Sequence, residues 1–141
     1  MITVSVVLLA EMQPNGDGTV SDSTTKLMWQ DDYSDNGGSI KEATWQEAIA
    51  YCEESKLAGY EDWRLPNIKE LKSIVDDTKY NPAIDTSAFS NTTTSDDYWS
   101  STTRARYHDR AWIVNFWGGD DRGYGYNKDN SGFVRCVRDD K

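Results

Sequence analysis

His108 is the only histidine in the chain, and Asp109 follows it directly. An imidazole oriented by a carboxylate is the arrangement a general base requires. This pair, however, sits inside the run Arg104 to Arg110 (RARYHDR), where a solvated loop histidine is the simpler reading. Cys52 and Cys136 with one histidine lack the spacing of a zinc site. The acidic doublets Asp31-Asp32, Asp96-Asp97 and Asp120-Asp121 match no helix-loop-helix calcium loop. The sequence therefore points away from an enzyme: no catalytic residue, metal site or cofactor is expected.

Recognition chemistry is much better represented. RARYHDR and the run from Trp117 to Asn127 (WGGDDRGYGYN) combine Tyr, Arg, Asp and Gly, the composition of a paratope, in which tyrosine supplies broad contact at low entropic cost. The candidate ligand-binding residues are Arg104, Arg106, Tyr107, His108, Asp109, Arg110, Trp117, Asp120, Asp121, Arg122, Tyr124 and Tyr126. Tyrosines and Trp117 would supply contact area, arginines and aspartates charge complementarity. Trp117 opens a Gly-Gly-Asp-Asp loop and reads as an exposed anchor. Trp29, Trp45, Trp63, Trp99 and Trp112 lie in apolar motifs and are expected in the core.

A chain of 141 residues, 12% of them aromatic, is one ordinary domain able to bury a ring-rich core. The formal charge is −9, yet from Tyr98 to Arg138 seven Lys and Arg face four Asp. A mildly basic region on an acidic body argues against general affinity for nucleic acid. The longest apolar run, Val6 to Ala10, falls far short of the roughly 20 residues a membrane helix needs. It reads as part of a first strand rather than a leader peptide, since no basic segment precedes it.

The elements that must position the candidate residues follow from periodicity. Ile2 to Leu9, Gly18 to Asp22 and Lys26 to Gln30 read as strands, the last two as a hairpin across Asp22-Ser23-Thr24-Thr25. Residues 1–16 form an N-terminal strand or extension. Thr44-Trp45-Gln46-Glu47 is a capping box opening a helix from Trp45 to Ser55, with Trp45, Ala48, Ile49 and Cys52 on its buried stripe. Asn67-Ile68-Lys69-Glu70 opens a second helix, from Ile68 to Asp77. Residues 81–97 are mostly Thr, Ser, Asn and Asp and read as a long ordered loop pinned by Pro82, Ala83, Ile84, Ala88 and Phe89. Tyr98 to Thr102, Arg110 to Phe116, Gly123 to Asn127 and Phe133 to Arg138 form an antiparallel sheet. In the last strand Val134 and Cys136 share one face, and Phe133, Arg135 and Val137 the other. The fold class is α+β: two helices with small antiparallel sheets in a single domain, residues 98–138 carrying the binding surface. Cys52 and Cys136 both point inward, either as a disulfide or as two buried thiols.

The phrases GTVSDSTTKLMWQ, TWQEAIAYC, GYEDWRLPNIKEL, YWSSTT, AWIVNF and FVRCVRD resemble, in this order, the C-terminal domain of bacterial collagen-like adhesins. The resemblance spans about Asp17 to Asp139. It implies a C-type-lectin-like fold, related to that of formylglycine-generating enzymes, and a disulfide between the first helix and the last strand, here Cys52 to Cys136. The active-site cysteine pair of formylglycine-generating enzymes has no match in this chain, so the fold carries no activity. Calcium-dependent lectins of this fold use a Glu-Pro-Asn or Gln-Pro-Asp tripeptide and a Trp-Asn-Asp. Gln13-Pro14-Asn15 lies at the wrong end of the chain, and Trp112 to Asn115 is no Trp-Asn-Asp.

Both runs are also similar to the diversified segments of variable proteins from diversity-generating retroelements, which often use this fold. Asparagine codons altered at adenine yield Arg, Tyr, His, Asp, Gly, Ser, Ala and Phe among others, but not Lys, Glu, Gln, Met or Trp. RARYHDR and GGDDRGYGYN stay within that set, and Trp117 lies outside it. The expectation is a non-enzymatic protein that displays a variable surface to a protein or polysaccharide ligand on a cell surface, outside the cell or on a virion, with no nucleic acid and no membrane insertion. The alternative is an adhesin domain for polysaccharide.

Overall fold

The computed structural model describes residues 12–121, 123 and 125–140; the expected strand Ile2 to Leu9 lies outside them. In chain order the regular elements are β1 (Met12–Pro14), β2 (Thr19–Asp22), β3 (Leu27–Gln30), β4 (Glu42–Ala43), α1 (Trp45–Glu54), α2 (Ile68–Ser73), β5 (Tyr98–Arg104), β6 (Tyr107–Val114), β7 (Tyr126–Asn127), β8 (Gly132–Phe133) and β9 (Val137–Asp139). They form a four-stranded sheet ordered β1-β2-β3-β9 and a five-stranded sheet ordered β4-β8-β5-β6-β7. All pairings are antiparallel except that of β5 with β8, which is parallel at Tyr98 and Phe133.

The β2–β3 hairpin turns where the sequence asks for it. The Asp22 carboxylate accepts from the backbone N–H of Thr24 at 2.9 Å, and Lys26 takes φ +59° to close the turn. Both helices begin at their capping residues. Thr44 N–H donates to Glu47 Oε1 at 3.0 Å, while Glu70 N–H donates to Asn67 Oδ1 at 2.8 Å and Asn67 N–H returns to Glu70 Oε1 at 2.9 Å. These contacts satisfy donors that a helix start leaves orphaned.

Helix α2 stops at Ser73, four residues before the expected Asp77. Asp76 is the reason: its carboxylate accepts from Thr78 N–H at 2.9 Å and from the Thr78 hydroxyl at 2.5 Å. Such a local Asp turn competes directly with helix. The expected strand Gly123 to Asn127 shrinks to Tyr126–Asn127, because Gly123 and Gly125 take φ +67° and +71°, outside the extended region.

The two clusters of the core lie on opposite faces of the β5–β6 ladder. Tyr98 and Val114 pack with Leu71, Ile74, Phe89, Phe116 and Trp29 on the α2 side. Trp99, Ala111 and Ile113 pack with Ala48, Cys52, Trp63 and Leu65 on the α1 side. Phe133 to Arg138 is not one strand, as expected, but two: β8 ends in one sheet, β9 begins in the other, and residues 134–136 cross between them. The crossing backbone bonds to β3, with Gln30 N–H donating to Cys136 O at 3.0 Å and Cys136 N–H to Gln30 Oε1 at 3.0 Å. Alternation nevertheless survives, with Phe133 and Val137 in the first cluster and Val134 and Cys136 in the second. Cys136 thereby meets α1, and a disulfide joins it to Cys52 with Cα atoms 5.5 Å apart.

The long loop 81–97 is ordered from below. Ala83, Ile84, Ala88 and Phe89 are buried, as their spacing suggests, and the Asp31 carboxylate accepts from the N–H groups of Ser90 and Asn91 at 2.9 and 3.0 Å. Arg135, fully buried, donates to Gln30 O at 2.5 Å, to Thr92 Oγ1 at 3.0 Å and to the carbonyl of Asn91, with its guanidinium over the Phe89 ring.

Candidate functional site: an aromatic and charged flank

RARYHDR is not the loop its composition suggests. Arg104 pairs with Tyr107 across a two-residue turn, Ala105-Arg106, and β6 starts at Tyr107. Beyond this tight end the register breaks: Thr103 faces Ala111, so His108, Asp109 and Arg110 bulge away from β5. Arg110 pairs instead with Asn127 of β7. Such a bulge re-aims side chains. Arg106, Tyr107, His108 and Asp109 are exposed, Arg104 and Arg110 half-exposed. The His108 ring N–H donates to the carbonyl of Ala105 at 3.1 Å.

A second irregularity lies further along the ladder, where Ser100 to Thr102 stand against Trp112 alone. The freed groups of β5 bond to both helix starts. Trp45 Nε1–H donates to Ser100 O at 2.9 Å, Ser101 N–H to Pro66 O at 2.7 Å, and Ile68 N–H to Thr102 Oγ1 at 3.0 Å. The sheet thus carries its hairpin on a frame clamped by α1 and α2.

On the α2 side this frame presents a cation–aromatic cluster. The Arg104 guanidinium lies 4.8 Å from the Tyr107 ring centroid and 5.4 Å from that of Trp112, and Arg110 lies 5.7 Å from Tyr107. Trp112 is therefore not core, as expected, but half-buried under an arginine. It points to the same face as Val114 but is not part of the cluster around Leu71 and Ile74. Trp45 is likewise half-buried, its ring beneath the Lys128 ammonium at 3.9 Å. Trp29, Trp63 and Trp99 are buried.

The second run lies against α2 and the turn after it. Lys72 and Asp121 form an ion pair at 2.5 Å, which holds the Asp121 carboxyl below its ordinary value. Gly119, at φ +81°, packs on Val75, and Asp120 bridges to Asn115. Trp117 is 55% exposed, and its ring meets Tyr80, 75% exposed, with centroids 6.0 Å apart and planes tilted by 56°. Arg122 and Tyr124 fall outside the described residues. Tyr126 is not on this flank: it pairs with Ala111 and packs on Trp99, 5.4 Å away, on the α1 side. Asp109 also faces that side, lining a shallow cleft with Thr44, Gln46, Lys128 and Asp129.

Arg104, Tyr107 and Arg110 from the first run thus share the α2 side of the domain with Trp117, Asp120 and Asp121 from the second. Sequence reasoning missed the place of Tyr80 and Lys72 on this flank and the half-exposed position of Trp112. Tyr80 stands alone in a polar stretch, and an isolated exposed tyrosine beside Asn-Pro was the available signal. Among the described residues no group of His, Cys, Asp and Glu is arranged to hold a metal, and no helix is long and apolar enough to cross a membrane.

A sequence comparison with curated proteins yields no match. The family model of the Lcl C-terminal domain matches residues 18–138, which takes in every element named above except β1 and the last residue of β9. The chain therefore belongs to the Lcl C-terminal domain family, a family of C-type-lectin-like binding domains.

Proposed function

We propose that this protein is a non-enzymatic display domain, acting outside the cell, whose hairpin end and following loop form a variable surface for a macromolecular ligand. One observation carries the reading. Arg106, Tyr107, His108 and Asp109, all compatible with adenine-directed change, project from a tight hairpin, and Gly118 and Asp120 lie exposed in a surface loop, while the disulfide, both helix caps and the Asp31–Arg135 pair lie in the frame. A disulfide suits an oxidising compartment, which supports an extracellular setting. Retroelement diversification is the source of variability that the residue set favours.

The test has two arms. Randomising Arg104, Arg106, Tyr107, His108 and Arg110 together should leave most variants folded, read by cooperative thermal unfolding. The DNA beside the coding region should hold a reverse transcriptase and a near-copy of the Tyr98 to Arg138 segment that differs only at adenines. A near-copy that differs at the codons of Trp99 or Ile113 would sink the diversification reading.

The arginines stacked on Tyr107 favour a second reading, an adhesin surface for an anionic polysaccharide. Loss of polysaccharide binding in an Arg104→Ala, Arg110→Ala variant, with the same binding kept after randomisation of residues 117–121, would favour it over the first.

A further inference from the structure

The flank is split in charge, and its two ends suit different chemistry. At the Tyr80 end, the segments 72–85 and 117–122 hold five aspartates against two lysines and Arg122. Both lysines are already engaged, Lys72 with Asp121 at 2.5 Å and Lys79 with Asp76 and Asp85 at 3.7 and 3.8 Å. An anionic ligand would meet no uncommitted cation among the described residues of these segments. Asp77 is exposed and lines a cleft of about 320 Å³ with Lys72, Val75 and Gly119.

The backbone that carries the two exposed rings is fixed before any ligand arrives. Asn81 N–H donates to Trp117 O at 2.7 Å, Ala83 N–H to Phe116 O at 2.6 Å, and Trp117 N–H to Asn115 Oδ1 at 2.7 Å. The backbones carrying Tyr80 and Trp117 are therefore stitched together, which lowers the ordering cost of binding. Two tilted aromatic faces in a negative setting attract a cation through the ring quadrupole.

We propose that Tyr80 and Trp117, with Asp77, form a subsite for a lysine or arginine side chain presented by a protein partner. This deepens the display-domain reading and rests on it. Tyr80 lies outside both runs, so it would act as a constant anchor beside a surface that changes.

The test follows the Trp117 indole N–H resonance, assigned with a Trp117→Phe variant, while the neutral-capped peptide acetyl-Gly-Arg-Gly-amide is titrated to 20 mM. A saturable shift is expected, with the glutamate analogue and a sulfated heparin oligosaccharide giving none. Tyr80→Ala and Asp77→Asn should each weaken the peptide about two- to fivefold, whereas Tyr80→Phe should retain it; thermal melts show that each variant is folded. No shift by 20 mM, an equal shift with the acidic or sulfated probe, or an unchanged affinity in Tyr80→Ala would each overturn the subsite. A folded library of hairpin variants alongside such a failure would leave the display reading standing, so the two fail separately.

Discussion

Arg135 places its guanidinium 3.3 Å from the Asp31 carboxylate, and from there holds Phe89, Asn91 and Thr92 of the 81–97 loop against the core. A guanidinium is suited to this position because it fans several donors in one plane. Here they serve the Gln30 carbonyl, Asp31, the Asn91 carbonyl and Thr92, while Phe89 covers the flat face. The same loop ends at Asn81, whose N–H fixes Trp117.

Removing one partner of that pair strands a buried charge, which costs about 3 to 5 kcal/mol. Asp31→Asn and Arg135→Met should both lower the urea midpoint strongly, and Arg135→Lys should rescue little, because one ammonium cannot reach four acceptors. An Arg135→Lys protein with unchanged stability would contradict this account of the loop.

The disulfide closes a loop with a sequence separation of 84. Constraint of the unfolded chain then gives about 4 to 5 kcal/mol in the chain-entropy model. Cys52→Ala with Cys136→Ala should lose most of that in equilibrium unfolding, and the wild type in reductant should approach the variant. A double variant as stable as the wild type would mean that packing of α1 on the crossover holds the fold without the bond.

Trp99 and Trp112 are neighbours in type but not in role. Trp99 is fully buried and donates its indole N–H to Ala43 O at 2.8 Å, so Trp99→Ala should cost about 3 to 5 kcal/mol. Trp112 is half-buried, and Trp112→Ala should cost clearly less, while changing ligand binding more. Thermal melts and a binding titration on the same two variants separate these effects.

Much of the frame was legible because it rests on short-range signals. Capping boxes at Thr44 and Asn67, the hairpin at Asp22 and the inward stripe ending at Cys52 each depend on a few neighbouring residues. What was not legible depends on partners distant in sequence. Nothing local announces that residues 134–136 leave one sheet for another, or that Asp76 will end α2 by taking Thr78. The candidate surface was read in the right segments but sorted imperfectly. RARYHDR looked like loop because its residues are polar, whereas polar residues are equally at home on a half-exposed strand; Tyr126 looked exposed, whereas it is half-buried and packs over Trp99.

Glu70 links stability to pH. Burial raises its carboxyl, but bonds from Arg64 at 2.6 and 2.8 Å and from Asn67 N–H outweigh this, so it sits below its ordinary value of 4.5. A carboxyl depressed by folding stabilises above its unfolded value and loses that contribution as pH falls through its folded value. The wild type should therefore exceed Glu70→Gln in Tm at pH 7, and the gap should narrow below about pH 4.5. Arg64 is partly exposed, so screening keeps the gap modest. A gap that widens on acidification would reverse the sign and reject the assignment.

Not every glycine in the second run is free to vary. Gly118 has open space where a Cβ would lie and no positive φ, so Gly118→Ala should be neutral or slightly stabilising through the unfolded chain. Gly125 takes φ +71°, and a Cβ there would stand 3.0 Å from the Ala111 carbonyl oxygen. Backbone of β6 cannot yield as a side chain can, so Gly125→Ala should cost more than the roughly 1 to 2 kcal/mol of the left-handed conformation alone. Gly119 is constrained as well: it takes φ +81°, and a Cβ there would stand 2.4 Å from Val75 Cγ1, on a β-branched side chain with little rotamer freedom to give. Thermal melts of the three alanine variants should show little loss for Gly118 and clear losses for Gly119 and Gly125. The same contrast should appear as tolerance in a folded library, so a surface that varies by exchanging residues must do so around Gly119 and Gly125. Recovery of many folded variants with bulky residues at Gly125 would show that the β6–β7 approach is not required to hold the loop in place.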